Sequence, residues 1–210
     1  MGVSRISVNT QTLNDSILAS IGRHHTAEQF LRAYAMAKEA QIPHINVDLI
    51  AGLPGDSFKT FSQTMDKILE LHPENITVHT FCVKKAAEIL RQGSNVYSLR
   101  GGDAGKCVDY TQLKAQQEGY LPYYMYRQTR SVGNLENVGW AKPGCESAYN
   151  VFMMEECQTV FACGAGAVTK LLVPGTTDII RVFNYKYPYE YVDRFDQLIA
   201  NKSKVRAFYE

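Results

Sequence analysis

One segment, residues 45–57 (INVDLIAGLPGDS), constrains the fold of this chain more than any other. Polar and apolar residues alternate at its start, which is the period-two pattern of a β-strand and places Asp48 on one face near the strand's carboxyl end. An acid in so apolar a run has to be paired, hydrogen-bonded or used, because burying a lone carboxylate is costly. Since α/β folds carry functional side chains at the carboxyl ends of their strands, we predict a functional acid here.

The same segment ends in a turn that leads into a helix. Residues 53–55 (LPG) turn the chain, Gly55 is free to take a positive φ angle, and either Asp56 or Ser57 can cap the next helix. Apolar residues then recur at helical spacing, which predicts a helix from Ser57 to about Leu71. The segment is therefore typical of a strand, turn and helix in an α/β fold.

Strands and helices alternate through the first part of the chain. The predicted elements are a strand over residues 4–10 that ends at Gln11, a short helix capped by Asn14 that runs to about Ile21, a helix opened by a capping box of Thr26 and Gln29, the strand and helix described above, and a strand over residues 76–83. Such alternation favours a parallel sheet with helices outside it. The predicted fold class is therefore α/β.

The first predicted strand is expected to lack a neighbour. Three strands are too few to close a barrel, and the chain begins almost directly in a strand whose partner should precede it. We therefore expect the sequence to be part of a longer protein. An uncovered sheet edge also offers a route to a homodimer.

The pattern changes after residue 84. The predicted elements are helices over residues 85–92 and 105–119, a Gly- and Ser-containing loop over 94–103, strands over 120–129, 157–162 and 178–184, and a helix over 188–200 with Tyr191, Phe195, Leu198 and Ile199 turned inward. The loop is the natural boundary. We therefore predict an α/β domain over residues 1–95 and an α+β domain over residues 96–210.

Charge and apolar patterning exclude several classes of function. Lys and Arg number 22 against 21 for Asp and Glu, so no basic excess indicates a nucleic-acid or anionic-membrane partner. No apolar run approaches the ~18 residues of a membrane span, and the start of the chain has no leader pattern. A cytoplasmic protein is the expectation.

The cysteines and histidines give little sign of a metal site. The five cysteines form no CxxC pair, and their odd number argues against a disulfide framework, so reduced thiols are expected. Cys157 and Cys163 stand six residues apart without a nearby His, so a metal site is one interpretation and structural thiols are the favoured one. Among the histidines, only His79 is singled out, because it lies inside a predicted strand.

Seven segments in order resemble one family. They are RISVNTQTLND, IGRHHT, INVDLIAGLPGDS, VHTFCVKK, YYMYRQT, GNLENVGWAKPGCESAYN and MMEECQTVFACGAGAVTK. Together they resemble the radical S-adenosylmethionine (SAM) enzymes of the oxygen-independent coproporphyrinogen III oxidase (dehydrogenase) group. The C-terminal segments look like the divergent branch of that group found in Gram-positive bacteria.

The resemblance implies a fold and a reaction. Residues 1–95 would be the second half of a partial parallel (β/α)6 radical SAM barrel, and residues 96–210 an α+β domain that covers the substrate. The implied reaction is oxidative decarboxylation of propionates of coproporphyrinogen III to give protoporphyrinogen IX in heme biosynthesis, with SAM and a [4Fe-4S] cluster as cofactors. The cluster motif CxxxCxxC is absent from the 210 residues, so the chain alone is expected to be inactive.

The resemblance also implies cofactor-binding residues. The family's Gln at the end of the first strand, matched by Gln11, hydrogen-bonds SAM; the Arg of the following helix, matched by Arg23, pairs with the methionine carboxylate of SAM. The matching acid, Asp48, would lie beside the cofactor, and the backbone from Phe81 to Val83 near the adenine. Taken singly, each residue has an alternative interpretation: Gln11 as a polar residue at a strand end, Arg23 as a solvated helix charge and Asp48 as a buried acid that holds a loop.

Substrate binding is the least defined part of the prediction. Asn134, Glu136 and Asn137 lie in a stretch that is either a loop over the barrel mouth, offering donors to propionates, or a turn-rich connector. Arg127, which neighbours several tyrosines, is a further candidate for a carboxylate. No catalytic residue is identified. Two alternatives to the enzyme remain: a heme-binding and heme-delivery protein, and a folded interaction module without catalysis.

Overall fold

The computed structural model describes residues 2–82, 102–128 and 131–209 of the chain. These residues form two compact units, residues 1–146 and 147–210. The division falls later than the predicted boundary after residue 95, because two strands from the predicted second domain join the first sheet. The helix predicted over residues 85–92 lies outside the described residues.

The first unit contains five strands and four helices in its described part. They are β1 (Arg5–Ser7), α1 (Asp15–Ser20), α2 (Ala27–Glu39), β2 (His44–Ala51), α3 (Phe58–Glu70), β3 (Asn75–Thr80), α4 (Gly102–Gln117), β4 (Leu121–Tyr126) and β5 (Asn137–Ala141), with a 3-10 turn at Val132–Asn134. The strands form one sheet in the order β1-β2-β3-β5-β4. The first three are parallel and β5 is antiparallel to both of its neighbours. The predicted α/β class with parallel strands is confirmed.

One face of this sheet is the core. Residues of β2 alternate between buried and half-buried, so that Ile45, Val47, Leu49 and Ala51 all point to the buried side. Side chains that pack against this side come from the helices and the adjoining strands: Phe30, Tyr34, Phe61, Met65, Ile68, Ile76, Tyr120 and Trp140. Burying each large apolar side chain contributes roughly 1.5–3 kcal/mol. The half-buried side chains that alternate with these on β2, Asn46 and Asp48 among them, point to the opposite face of the sheet.

The predicted helix starts are confirmed. Asn14 caps α1, and its side-chain oxygen accepts from the amides of Ser16 and Ile17. Thr26 and Gln29 form the predicted capping box of α2. Of the two candidates for the cap of α3, Ser57 is the cap. These local signals fix where the helices leave the carboxyl ends of β1 and β2.

The carboxylate of Glu74 ties the start of β2 to the end of α2. It accepts from the amide of Ile45 at 2.9 Å and from Lys38 Nζ at 2.8 Å. Burial alone would raise the pKa of Glu74, but the bonds from Lys38 and Ile45 outweigh it and hold the pKa below its usual value. Because the folded-state pKa is the lower one, this stabilisation is present above the unfolded pKa, about 4.3, and is lost as pH falls through the folded value.

We predict that Glu74→Gln lowers the free energy of unfolding by about 1–2 kcal/mol at pH 7, because a charged acceptor of two bonds is lost. Urea unfolding at pH 7 and pH 3 measures this, and the difference between variant and wild type should shrink at pH 3. Glu70→Gln is the matched control, since Glu70 is exposed and its ion pair with Lys67 lies on the surface of α3. Equal losses of unfolding free energy in the two variants at pH 7 would contradict the stabilising role assigned to Glu74.

The second unit contains a two-stranded sheet and several short helices. Its described elements are α5 (Ala148–Glu155), β6 (Val168–Leu172), β7 (Ile179–Phe183), α6 (Pro188–Asp193), α7 (Phe195–Asn201) and α8 (Ser203–Tyr209). Strands β6 and β7 pair antiparallel, which confirms the strand predicted over residues 178–184. No helix within the described ranges has the length and apolar character needed to cross a membrane.

Two predictions for the second unit are wrong. The strand predicted over residues 157–162 is reduced to a single β-bridge between Val160 and Lys170. The helix predicted over residues 188–200 is broken at Arg194, whose φ of −114° and ψ of 30° are not helical. The break changes which side chains are enclosed: Leu198 is buried, Tyr191 is half-buried, and Phe195 and Ile199 are about half exposed.

Candidate functional site

Polar side chains from four segments meet on the face of the first sheet opposite the helices. We call this group the polar face: Asn9 after β1, Asn46 and Asp48 of β2, Thr77 and His79 of β3, and Tyr124 and Tyr126 of β4. The strand register brings them together, because Asp48 is opposite Thr77, Thr77 is opposite Gly139, and Gly139 is opposite Tyr124. The predicted acid is therefore part of a row of polar groups that crosses the sheet.

Asp48 is at the centre of the polar face. Its Oδ2 accepts from Asn9 Nδ2 at 2.8 Å and lies 3.7 Å from His79 Nε2, and its Oδ1 accepts from Asn46 Nδ2 at 2.7 Å. Burial would raise the pKa of Asp48, but the polar contacts from His79, Asn46 and Thr77 together lower it below its usual value. The side chain is 23% exposed. The site therefore presents an ionised carboxylate that a ligand can reach.

Two stacked tyrosines line the side of the polar face formed by β4. The rings of Tyr124 and Tyr126 lie 6.4 Å apart with an interplanar angle of 8°. The Tyr124 hydroxyl is 3.2 Å from Thr77 Oγ1, which in turn donates to Asn46 Oδ1 at 3.2 Å. Burial raises the pKa of both phenols, so both hydroxyls remain protonated at neutral pH.

Gly139 makes room for the Tyr124 ring. A Cβ atom at this position would overlap ring atoms Cε1 and Cδ1 of Tyr124 and stand 2.6 Å from Cζ. Gly139 is thus required by a close approach and not by a positive φ angle. The sequence GNLENVGWA does not reveal this, because the ring that fills the space comes from another strand.

Gln11 lies directly beside Asp48. Its amide donates to the Asp48 carbonyl at 3.0 Å, and its own carbonyl accepts from the amide of Ile50 at 3.0 Å. The residue is 6% exposed and has a φ of 65°, and its side-chain Oε1 is buried without a hydrogen-bond partner in the part of the chain that the structure describes. Since buried acceptors are nearly always paired, this atom suits a donor from a ligand.

The other predicted cofactor residues are placed differently. Arg23 is exposed and follows α1, where its amide donates to the Leu18 carbonyl at 2.9 Å, so it lies past the helix in which it was expected. Its side chain makes no hydrogen bond or ion pair with the described part of the chain. Both backbone groups of Phe81 are hydrogen-bonded: its amide donates to the Ala51 carbonyl and its carbonyl accepts from the Val132 amide, both at 2.9 Å. Val83 lies outside the described residues.

The residues predicted to bind substrate are all near the carboxyl end of β3. Arg127 and Glu136 form an ion pair at 2.7 Å, and this contact holds the pKa of Glu136 below its usual value. Asn137 is fully buried; its Oδ1 accepts from the Thr80 amide at 2.6 Å, and its Nδ2 has no partner among the described residues. Asn134 is exposed in the 3-10 turn with a φ of 54°. Their roles toward a substrate stay predictions.

Within residues 2–82, 102–128 and 131–209, no group of three or more His, Cys, Asp and Glu side chains is arranged to hold a metal ion. Cys157 and Cys163 are both exposed. The residues present therefore do not fit an iron-sulfur cluster. By contrast, Asp48 suits a nucleoside ligand, since its held carboxylate is 23% exposed; Gln11, whose Oε1 has no partner among the described residues, adjoins Asp48 along the backbone.

Sequence comparison relates the chain to known proteins. Residues 1–68 match the model of the radical SAM superfamily. The chain is 38% identical over 203 residues to the oxygen-independent coproporphyrinogen-III oxidase-like protein HemZ of Bacillus subtilis, covering 96% of this chain and 40% of that protein. It is 27% identical over 168 residues to the heme chaperone HemW of the same organism, covering 79% and 41% respectively.

A solved structure has the same fold. Coproporphyrinogen III oxidase (HemN) from Escherichia coli, described as a radical SAM enzyme, matches with a TM-score of 0.59 at 18% identity, covering 92% of this chain and 43% of that one. The chain thus spans about two fifths of the length of the relatives it matches. The partial radical SAM barrel expected from the sequence agrees with this likeness. The chain is thus similar to radical SAM superfamily proteins over residues 1–68 and, over nearly its whole length, to an oxygen-independent coproporphyrinogen-III oxidase-like protein.

Proposed function

We propose that the polar face forms one wall of a SAM site in an enzyme that decarboxylates the propionates of coproporphyrinogen III. The observation that carries the proposal is the reachable, ionised carboxylate of Asp48 on β2, beside which the backbone of Gln11 follows β1 with its Oε1 unpartnered among the described residues. Ligands of open α/β sheets bind at this end of the strands. The likeness to HemZ supports the reaction class.

Each proposed contact follows from the chemistry of this chain's residues. Asp48 would accept from a ribose hydroxyl, and Gln11 Oε1 from a second hydroxyl or an ammonium group. The exposed guanidinium of Arg23 would pair with the methionine carboxylate. When bound at a reduced [4Fe-4S] cluster, SAM supplies the radical that abstracts hydrogen. Because the three-cysteine motif is absent from the 210 residues, we expect the chain alone to be inactive.

The proposed substrate carries several propionates. Conversion of one propionate to a vinyl group removes a hydrogen atom, carbon dioxide and one electron, so an electron acceptor is also required. The Arg127–Glu136 pair and Asn134 would lie at the mouth of the site, where Arg127 could exchange Glu136 for a propionate. The predicted homodimer through the edge strand β1 belongs to the same proposal.

Anaerobic turnover tests the proposed reaction. The polypeptide that joins this chain to a CxxxCxxC segment is reconstituted with iron and sulfide, then given SAM, a reductant, an electron acceptor and coproporphyrinogen III. We expect protoporphyrinogen IX, detected as protoporphyrin fluorescence after oxidation. Absence of product with intact cluster and bound SAM would contradict the decarboxylase.

Heme binding is the second candidate function, because HemW, a heme chaperone, is among the relatives. A spectral titration of the same polypeptide with heme separates the two functions. A carrier would bind heme in stoichiometric amounts and leave coproporphyrinogen unchanged. Binding of neither SAM nor a tetrapyrrole would favour the interaction module instead.

A further inference from the structure

His79 connects two sides of the polar face. Its Nε2 lies 3.7 Å from Asp48 Oδ2 on β2, and its Nδ1 lies 3.1 Å from the Tyr126 hydroxyl on β4. The rings of His79 and Tyr126 also meet edge to face, with centroids 6.3 Å apart. The imidazole therefore lies between the two side chains, within hydrogen-bond distance of the Tyr126 hydroxyl and close to the Asp48 carboxylate.

The acceptor positions of Asp48 are partly occupied. A carboxylate offers about four lone-pair positions. Asn46 donates to Oδ1 and Asn9 donates to Oδ2, while His79 Nε2 stands 3.7 Å from Oδ2. A position on Oδ1 therefore remains for a ligand, and the direction in which it points depends on how the neighbouring side chains hold the carboxylate.

We propose that His79 is the positioning residue of the site. Its imidazole, which is hydrogen-bonded to Tyr126, sets the orientation of the Asp48 carboxylate. The remaining acceptor position on Oδ1 then faces a hydroxyl of the bound nucleoside. The ligand part of this inference rests on the proposed SAM site. The orientation of Asp48 by His79 does not, because it is a property of the ligand-free protein.

The hydrogen bond from Tyr126 decides whether Nε2 of His79, the nitrogen that faces Asp48, carries the ring proton. Nδ1 lies 3.1 Å from the Tyr126 hydroxyl, and in the tautomer that we infer this hydroxyl donates to Nδ1, so that the ring proton lies on Nε2, toward Asp48. The titratable groups in contact with the ring, within the described ranges, are Asp48 from β2 and Tyr126 from β4. Removing the phenol hydroxyl frees the ring to adopt the other tautomer, in which Nε2 no longer donates.

Carboxyl-carbon NMR of the ligand-free chain tests the positioning role directly. We expect His79→Gln to raise the pKa of Asp48 by about 1, and Tyr126→Phe to raise it by a smaller amount. His72→Gln, an exposed histidine after α3, should leave the Asp48 pKa unchanged. An unchanged Asp48 pKa in His79→Gln would overturn the inference, whatever the variant does to thermal stability.

Titration with SAM tests the ligand part. Where the wild-type chain binds, His79→Gln should weaken binding about 10-fold, Tyr126→Phe less, and His72→Gln not at all. Wild-type affinity in His79→Gln would overturn the ligand part of the inference. Absence of wild-type binding together with the expected rise of the Asp48 pKa would refute the proposed SAM site and support the positioning role, so the two failures are distinguishable.

Discussion

Gly139→Ala is expected to lower the free energy of unfolding of the first unit by about 2–3 kcal/mol. The added methyl group would occupy space that is already filled by ring atoms of Tyr124. Relief requires the ring to move, and this withdraws its hydroxyl from Thr77 and disturbs its stacking on Tyr126. Urea unfolding followed by circular dichroism measures the loss.

Two comparisons make this prediction specific. Gly105→Ala places the same methyl group in α4, where no described residue outside the helix's own backbone lies within 4 Å of it, and should stabilise the chain by about 0.5–1 kcal/mol because Ala favours helix. In a Tyr124→Leu background, Gly139→Ala should cost much less, because the ring is gone. Equal costs of Gly139→Ala in both backgrounds would show that Tyr124 is not the cause.

Asp48→Asn is expected to weaken SAM binding about 100-fold, equivalent to about 2.7 kcal/mol. The amide keeps the size of the side chain but removes the charge and replaces one acceptor by a donor, which would face the donors of Asn9 or Asn46. Loss of a charged acceptor to a ligand hydroxyl accounts for most of the effect. Isothermal titration measures the affinity.

Asp66→Asn is the matched control for this variant. Asp66 lies on α3, where it accepts from the Tyr110 hydroxyl and pairs with Lys114, away from the polar face. The same chemical change there should leave the affinity for SAM unchanged. A similar loss of affinity in both variants would indicate general destabilisation, and thermal unfolding of the two proteins would reveal it.

Local patterns in the sequence predict much of the first unit. Period-two alternation in β2 and cap residues such as Asn14 and Thr26 depend only on neighbours along the chain, so these elements are where they were expected. The pairing of β5 with β3 was not predicted, because it joins segments far apart in sequence and depends on strand register. The domain boundary was placed too early for the same reason.

The candidate site was predictable in part. The acid of the opening segment and the resemblance together indicated Asp48 and Gln11, and the structure brings the two side by side. The partners of Asp48 were missed, because Asn9 and His79 come from different strands and meet it only across the sheet. A polar residue repeated at the same face of successive strands is the one signal that could have indicated them.

A crystal structure of the protein with S-adenosylhomocysteine would show whether the polar face is a wall of the SAM site. We predict that a ribose hydroxyl lies within hydrogen-bond distance of the Asp48 carboxylate and that Gln11 Oε1 accepts from the ligand. A ligand bound elsewhere on the protein, with Gln11 Oε1 still unpartnered, would contradict the account.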